Sequence, residues 1–158
     1  MKACSFTGHR IIPEELQSGL SDLIKKAIEY AYSRGCRDFY AGGALGFDTM
    51  CEREVLLFRI SHRDVRLILL LPCKNQDEKW SDAERQRYEY TLSSADEVVY
   101  VSEDYTPDCM KKRNRLLAES CDMMIAYAGR IRSGAHQTVR FATELGREVY
   151  NLFGKINR

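Results

Sequence analysis

Val65-Arg66-Leu67-Ile68-Leu69-Leu70-Leu71-Pro72 is the stretch that decides the fold. Its aliphatics are almost continuous, as expected of a parallel strand covered on both faces. A strand with one wet face would alternate instead. Pro72 ends the run, because proline cannot donate to a ladder. Working outward, similar short apolar runs recur. Lys2–Thr7 precedes Gly8, Arg37–Ala41 precedes Gly42, and Glu97–Val101, Asp122–Tyr127 and Glu148–Leu152 follow. Between them lie segments of helical character. The clearest is Pro13–Arg34, where Leu16, Leu20, Leu23, Ile24, Ala27, Ile28 and Ala31 form one stripe. Pro13 suits its first turn and Gly35 the position past its end. Further helices are expected at Asp48–Ser61, Asp77–Ser93, Pro107–Ser120 and Ala135–Leu145.

Strand and helix therefore alternate through the chain. That order predicts an α/β fold: one Rossmann-like domain, with a mainly parallel sheet and helices on both faces. The 158 residues suit a single domain.

Composition narrows the function. A net charge of +1 argues against bulk attraction to nucleic acid or membrane. No apolar run is long enough to span a bilayer. The N-terminus lacks the apolar core of a signal peptide, so a cytoplasmic location is the default expectation. The six cysteines form no CxxC pair or zinc-finger spacing, and are read as reduced structural thiols. Neither a metal site nor a required cofactor is expected. Homo-oligomerisation and a protein partner stay open.

Open α/β sheets bind ligands beyond the carboxyl ends of their strands. Unusual residues gather in those loops here. Gly42-Gly43-Ala44-Leu45-Gly46-Phe47-Asp48 joins a strand to a helix, where backbone amides and the helix dipole favour an anion. The alternative is a tight turn with Asp48 as helix cap. Ser133-Gly134-Ala135-His136-Gln137-Thr138 forms a second such junction, suited to a phosphate or ribose oxygen or to plain capping by Ser133. Gly8, His9 and Arg10 follow the first strand, and Arg10 could clamp a phosphate. Trp80 either packs on the core or walls the pocket against a base. Arg113 and Asn114 stand on a helix that could turn them toward the same place.

This ordered set resembles the YpsA-like family of the SLOG superfamily, which also holds the DprA Rossmann domain and the LOG phosphoribohydrolases. The match rests on Thr7-Gly8-His9-Arg10, Gly42–Asp48, Trp80, Tyr105, Arg113-Asn114 and Gly134–Thr138. The resemblance implies a pocket for a nucleotide or nucleotide-derived ligand, related to NAD or ADP-ribose. It implies that Gly8, Arg10, Gly42, Gly43, Gly46, Asp48, Arg113, Asn114, Gly134 and Thr138 line it. LOG enzymes carry a glutamate three residues beyond the threonine of their PGGxGTxxE loop. Phe141 stands there in this chain, and Glu144 lies further along. The expectation is therefore a sensor or regulatory module that holds its ligand. A LOG-like phosphoribohydrolase using Asp48 or Glu144, or a DprA-like nucleic-acid module, is the alternative.

Overall fold

A computed structural model describes residues 2–129 and 132–156. Six strands alternate with helices: β1 (Lys2–Gly8), α1 (Glu14–Ser33), β2 (Cys36–Ala41), α2 (Phe47–Ser61), β3 (Arg66–Leu71), α3 (Asp82–Ser94), β4 (Glu97–Tyr100), α4 (Cys109–Ser120), β5 (Met123–Tyr127), α5 (Gly134–Glu144), β6 (Glu148–Asn151) and the short α6 (Phe153–Ile156). All strand pairs are parallel, in the order β4-β3-β2-β1-β5-β6.

The β3 run behaves as its composition requires. Leu67, Leu69 and Leu71 join the larger core cluster, which α1 and α2 supply with Leu20, Ile24, Ile28, Phe47 and Val55. Ile68 and Leu70 point to the opposite face and pack with Leu117 of α4. From Leu67 to Leu71 both faces are dry and every residue is aliphatic; the one polar residue, Arg66, is exposed at the start of the strand. Burying one such aliphatic contributes roughly 1.5–3 kcal/mol. The α5 side closes with Phe141 and Ala142 against Ala118 and Met124. All six cysteines are buried free thiols. Among the described residues, no helix is long and apolar enough to cross a membrane.

Most boundaries fall within two residues of expectation, and two elements depart further. The charged helix begins at Asp82 rather than Asp77, because Ser81 and Glu84 form a capping box that fixes the start. Residues 75–79 form turns instead. The α6 turn was absent from the sequence reading, since four residues carry no periodicity.

Candidate functional site

From β1 the chain steps outward through β2, β3 and β4. It then returns, placing β5 on the other side of β1. The connections diverge at this switch point, beyond the carboxyl ends of β1 and β5, and such a crevice is where open α/β sheets take ligands. A cavity of about 770 Å³ opens there. Thr7, Gly8, His9 and Arg10 enter it from the end of β1, and Tyr127 from the end of β5. Ser133, Gly134 and Ala135 enter at the start of α5, and Met110, Arg113 and Asn114 from α4. Asp48 and Ala44 reach its edge. Ile11, Pro13, Leu117 and Phe153 complete an apolar wall.

The Gly42–Asp48 loop lies against this cavity but is clamped from all sides. Gly46 is the N-cap residue of α2, with φ +79°, and a β-carbon there would collide with the carbonyls of His9 and Arg10. The Phe47 N–H donates to His9 O at 3.0 Å, joining this loop to the one after β1. The Gly43 N–H donates to Glu52 Oε2 at 3.1 Å, and the Ala44 N–H to Asp48 Oδ2 at 3.2 Å. On the carbonyl side, Arg113 Nη1 donates to Gly42 O at 2.5 Å and Gln76 Nε2 to Gly43 O at 3.2 Å. A β-carbon on Gly42 would press on the Arg113 guanidinium. Two loop amides that the sequence offered to a phosphate thus answer the protein's own carboxylates. Asp48 braces the loop from the first turn of α2; Gly46, not Asp48, holds the cap position.

The electrostatics follow from burial. Asp48 is 5% exposed, and desolvation pushes its carboxyl up to about 6, against the pull of Arg113 and the Ala44 N–H. Its Oδ1 has no hydrogen-bond partner among the described residues, a setting that favours the neutral acid. Burial raises Glu52 well above the usual carboxylate range, and the nearby Asp48 adds to it. Desolvation lowers the Arg113 guanidinium. Besides Gly42, Arg113 donates from Nε to Asn114 Oδ1 at 2.9 Å. Asn114 in turn donates to Gln137 Oε1 at 3.1 Å. Arg113 and Asn114 line the cavity, yet they chiefly brace one loop against α5.

The rim after β1 is tied to the start of α5 by two histidines. Gly129 N–H donates to His9 Nε2 at 2.7 Å, so that nitrogen carries a lone pair. His9 Nδ1 is then protonated and donates to Ser133 Oγ at 3.1 Å. His136 takes the complementary tautomer: Nδ1 accepts from Ser133 N–H at 3.3 Å, and Nε2 donates to Gly129 O at 2.5 Å. These tautomers are assigned from the network. Desolvation, helped by His136, lowers the His9 pKa. His9 is thus a rim tie. Ser133 Oγ also accepts the Ala135 N–H at 3.2 Å, which leaves its hydroxyl hydrogen free to turn into the cavity.

Of the expected site residues, Gly8, His9, Arg10, Asp48, Arg113, Asn114, Ser133 and Gly134 meet at the cavity. Gly42, Gly43 and Gly46 form the scaffold behind it. Thr138 is fully buried beneath it and donates to Gly134 O at 3.0 Å. Trp80 lies elsewhere: its ring meets Tyr88 edge-on at 5.1 Å, beside a separate narrow crevice. Tyr105 is 62% exposed and outside the cavity. Sequence reasoning missed Glu52, Met110, Tyr127 and Phe153. Glu52 stands one helical turn beyond Asp48 on the same face, but a helical acid at that spacing is not distinctive.

The fold and its site define a Rossmann-like domain with a crevice at the β1/β5 switch. The YpsA family model, described as the YspA SLOG family, matches residues 14–143. The chain belongs to this SLOG family. It is 26% identical to the SPbeta prophage-derived protein YoqJ of Bacillus subtilis (strain 168), over 92% of this chain and 90% of YoqJ. It is 25% identical to a UPF0398 protein of Bacillus thuringiensis (strain Al Hakam), over 96% of this chain and 87% of that protein. In fold it is similar to DNA processing protein A (DprA) of Streptococcus pneumoniae, with a TM-score of 0.67 and 19% identity, covering 96% of this chain. It spans half of that DprA chain. DprA of Helicobacter pylori, described as binding single-stranded DNA, superposes with a TM-score of 0.65 and 19% identity, over 94% of this chain and 64% of its own.

Proposed function

We propose that the β1/β5 cavity holds a nucleotide or nucleotide-derived ligand, and that the protein acts as a sensor or regulatory module. The observation that carries this is the cavity's two-sided chemistry. One side offers an anion the Arg10 guanidinium, the Ser133 hydroxyl and the positive end of the α5 dipole. The other side is apolar, with Ile11, Pro13, Met110, Tyr127 and Phe153. A ligand with phosphate at one end and a base at the other fits both. The volume of about 770 Å³ lies in the range of small-molecule sites.

Retention rather than cleavage is supported by the acids. Asp48 is 5% exposed and holds the Ala44 N–H through Oδ2, Glu52 holds the Gly43 N–H, and Glu144 is exposed at the far end of α5. The position three residues after Thr138 holds Phe141, which packs in the core. A general acid or base must reach the reacting centre before its pKa matters.

The test is a thermal-shift panel of AMP, ADP, ADP-ribose and NAD on wild type and Arg10→Ala. Arg10 is exposed, so its loss leaves the unliganded melting temperature unchanged. At least one nucleotide raises the wild-type melting temperature, and Arg10→Ala binds it about tenfold more weakly, the equivalent of about 1.4 kcal/mol. Stabilisation by no nucleotide, or equal binding by the variant, overturns the reading. Release of free base from a nucleoside monophosphate, abolished by Glu144→Gln, would replace it with the enzymatic alternative.

A further inference from the structure

A second, larger hollow lies away from the switch point, between α2 and α3. Its volume is about 1120 Å³. Its floor is aliphatic and aromatic: Leu56, Leu57 and Ile60 from α2, and Tyr90 from α3. These side chains are unusually open. Ile60 is 74% exposed, Tyr90 68% and Leu57 48%. An apolar strip this continuous on a soluble domain marks an interaction surface.

The walls are basic. Arg53, Arg59, Arg63 and Arg87 line the hollow against a single acid, Asp96. Asp96 is already paired with Arg59 at 2.6 Å. The guanidinium groups of Arg53, Arg63 and Arg87 have no ion-pair or hydrogen-bond partner among the described residues. On α2, Arg53, Leu56, Leu57 and Ile60 follow the i, i+3, i+4, i+7 spacing of one helix face. On α3, Gln86, Arg87, Tyr90 and Thr91 run alongside. The hollow is therefore a groove between two helices, with an apolar floor and positive sides.

We infer that this groove is a docking site for an acidic amphipathic helix of a partner protein. The floor takes the partner's apolar stripe, and the three unpaired arginines take carboxylates on either side of it. The groove runs the length of α3, whose 13 residues give roughly 20 Å. A partner helix of similar length fills it. Self-association through this face is disfavoured, because a two-fold contact sets the arginines against their own copies. A nucleic acid would use the arginines, but it would leave the Leu57 and Ile60 side chains against no stacking surface.

The test uses a labelled synthetic helix of about 13 residues, with leucines at i, i+3, i+4 and i+7 and glutamates on the flanks. Matched peptides carry lysine flanks or a scrambled leucine order. Fluorescence anisotropy on the full chain reads binding. The glutamate peptide binds with a Kd on the order of 10 µM and weakens as salt rises. Both matched peptides bind at least about tenfold more weakly. Ile60→Asp and Arg87→Glu each weaken the glutamate peptide by about tenfold or more, with unchanged melting temperature because both side chains are exposed. Failure of the glutamate peptide to bind at about 1 mM overturns the proposal. So does equal binding of the lysine peptide. Oligo-dT binding that Arg87→Glu abolishes, or a dimer that Ile60→Asp dissociates, assigns the groove to another occupant and also overturns it.

Discussion

His9 and His136 hold the two backbone polar groups of one residue, Gly129: its N–H donates to His9 Nε2 and its carbonyl accepts from His136 Nε2. The first bond requires a neutral His9, because its Nε2 must keep a lone pair to accept the Gly129 N–H. The His9 pKa is lowered from 6.5 in the folded protein, so the unfolded chain binds its proton first as pH falls. Stability from this tie is complete above 6.5 and is lost as pH falls toward the folded pKa. Amide exchange at Gly129, corrected for its intrinsic pH dependence, reads the tie directly. The expected result is loss of protection on acidification through that window. Protection that stays constant through titration of His9, followed by imidazole NMR, contradicts it.

Asp48 carries the opposite sign. Its folded pKa of about 6 exceeds the ordinary 3.8, so the folded state holds its proton longer. That contribution is present at acid pH and lost as pH rises through about 6. Asp48→Asn removes the ionisation while keeping an oxygen for the Ala44 N–H. The variant is expected to gain up to about 3 kcal/mol over wild type near pH 8, with the gain shrinking to nothing below the unfolded pKa. Denaturant melts at several pH values decide this. A difference independent of pH would contradict the assignment.

Arg113→Met keeps the length of the side chain and removes the brace. Gly42 O then loses its donor, and Asp48 and Glu52 lose their nearest buried cation. The expected cost at neutral pH is about 1–3 kcal/mol, the range for leaving a buried acceptor without its donor. Urea denaturation measures it. A cost below about 1 kcal/mol would show the loop to be self-supporting.

Gly46→Ala strains a residue at φ +79° and drives a β-carbon into two carbonyls of the preceding loop. Gly146→Ala is its control, because Gly146 has φ +74° and no atoms nearby. The control isolates backbone strain, about 1–2 kcal/mol. Gly46→Ala is expected to cost clearly more, read as a larger fall in melting temperature. Equal falls would mean that the two loops are not in register.

The strands were legible because a buried parallel strand has a composition of its own, as Val65–Leu71 illustrates. The location of the cavity was legible from topology, since Gly8, Arg10, Ser133 and Gly134 all follow strands. The division of labour inside it was not. Whether a glycine-loop amide faces a ligand or an internal carboxylate depends on Glu52, which is nine residues beyond Gly43 and looks like any helical acid. Trp80 shows a related limit. The sequence places it after β3, but the capping box at Ser81 and the contact with Tyr88 turn it away from the cavity. Phe153 reaches the site on a turn too short to show a pattern.

The central claim is that the β1/β5 crevice holds a nucleotide-type ligand. A heteronuclear NMR titration of the full chain with AMP, ADP-ribose and NAD tests it most directly. The account predicts saturable shifts for at least one of these, concentrated at Thr7–Arg10, Asn114 and Ser133–Ala135. Absence of saturable shifts with every nucleotide, or shifts confined to the α2/α3 face, would contradict it.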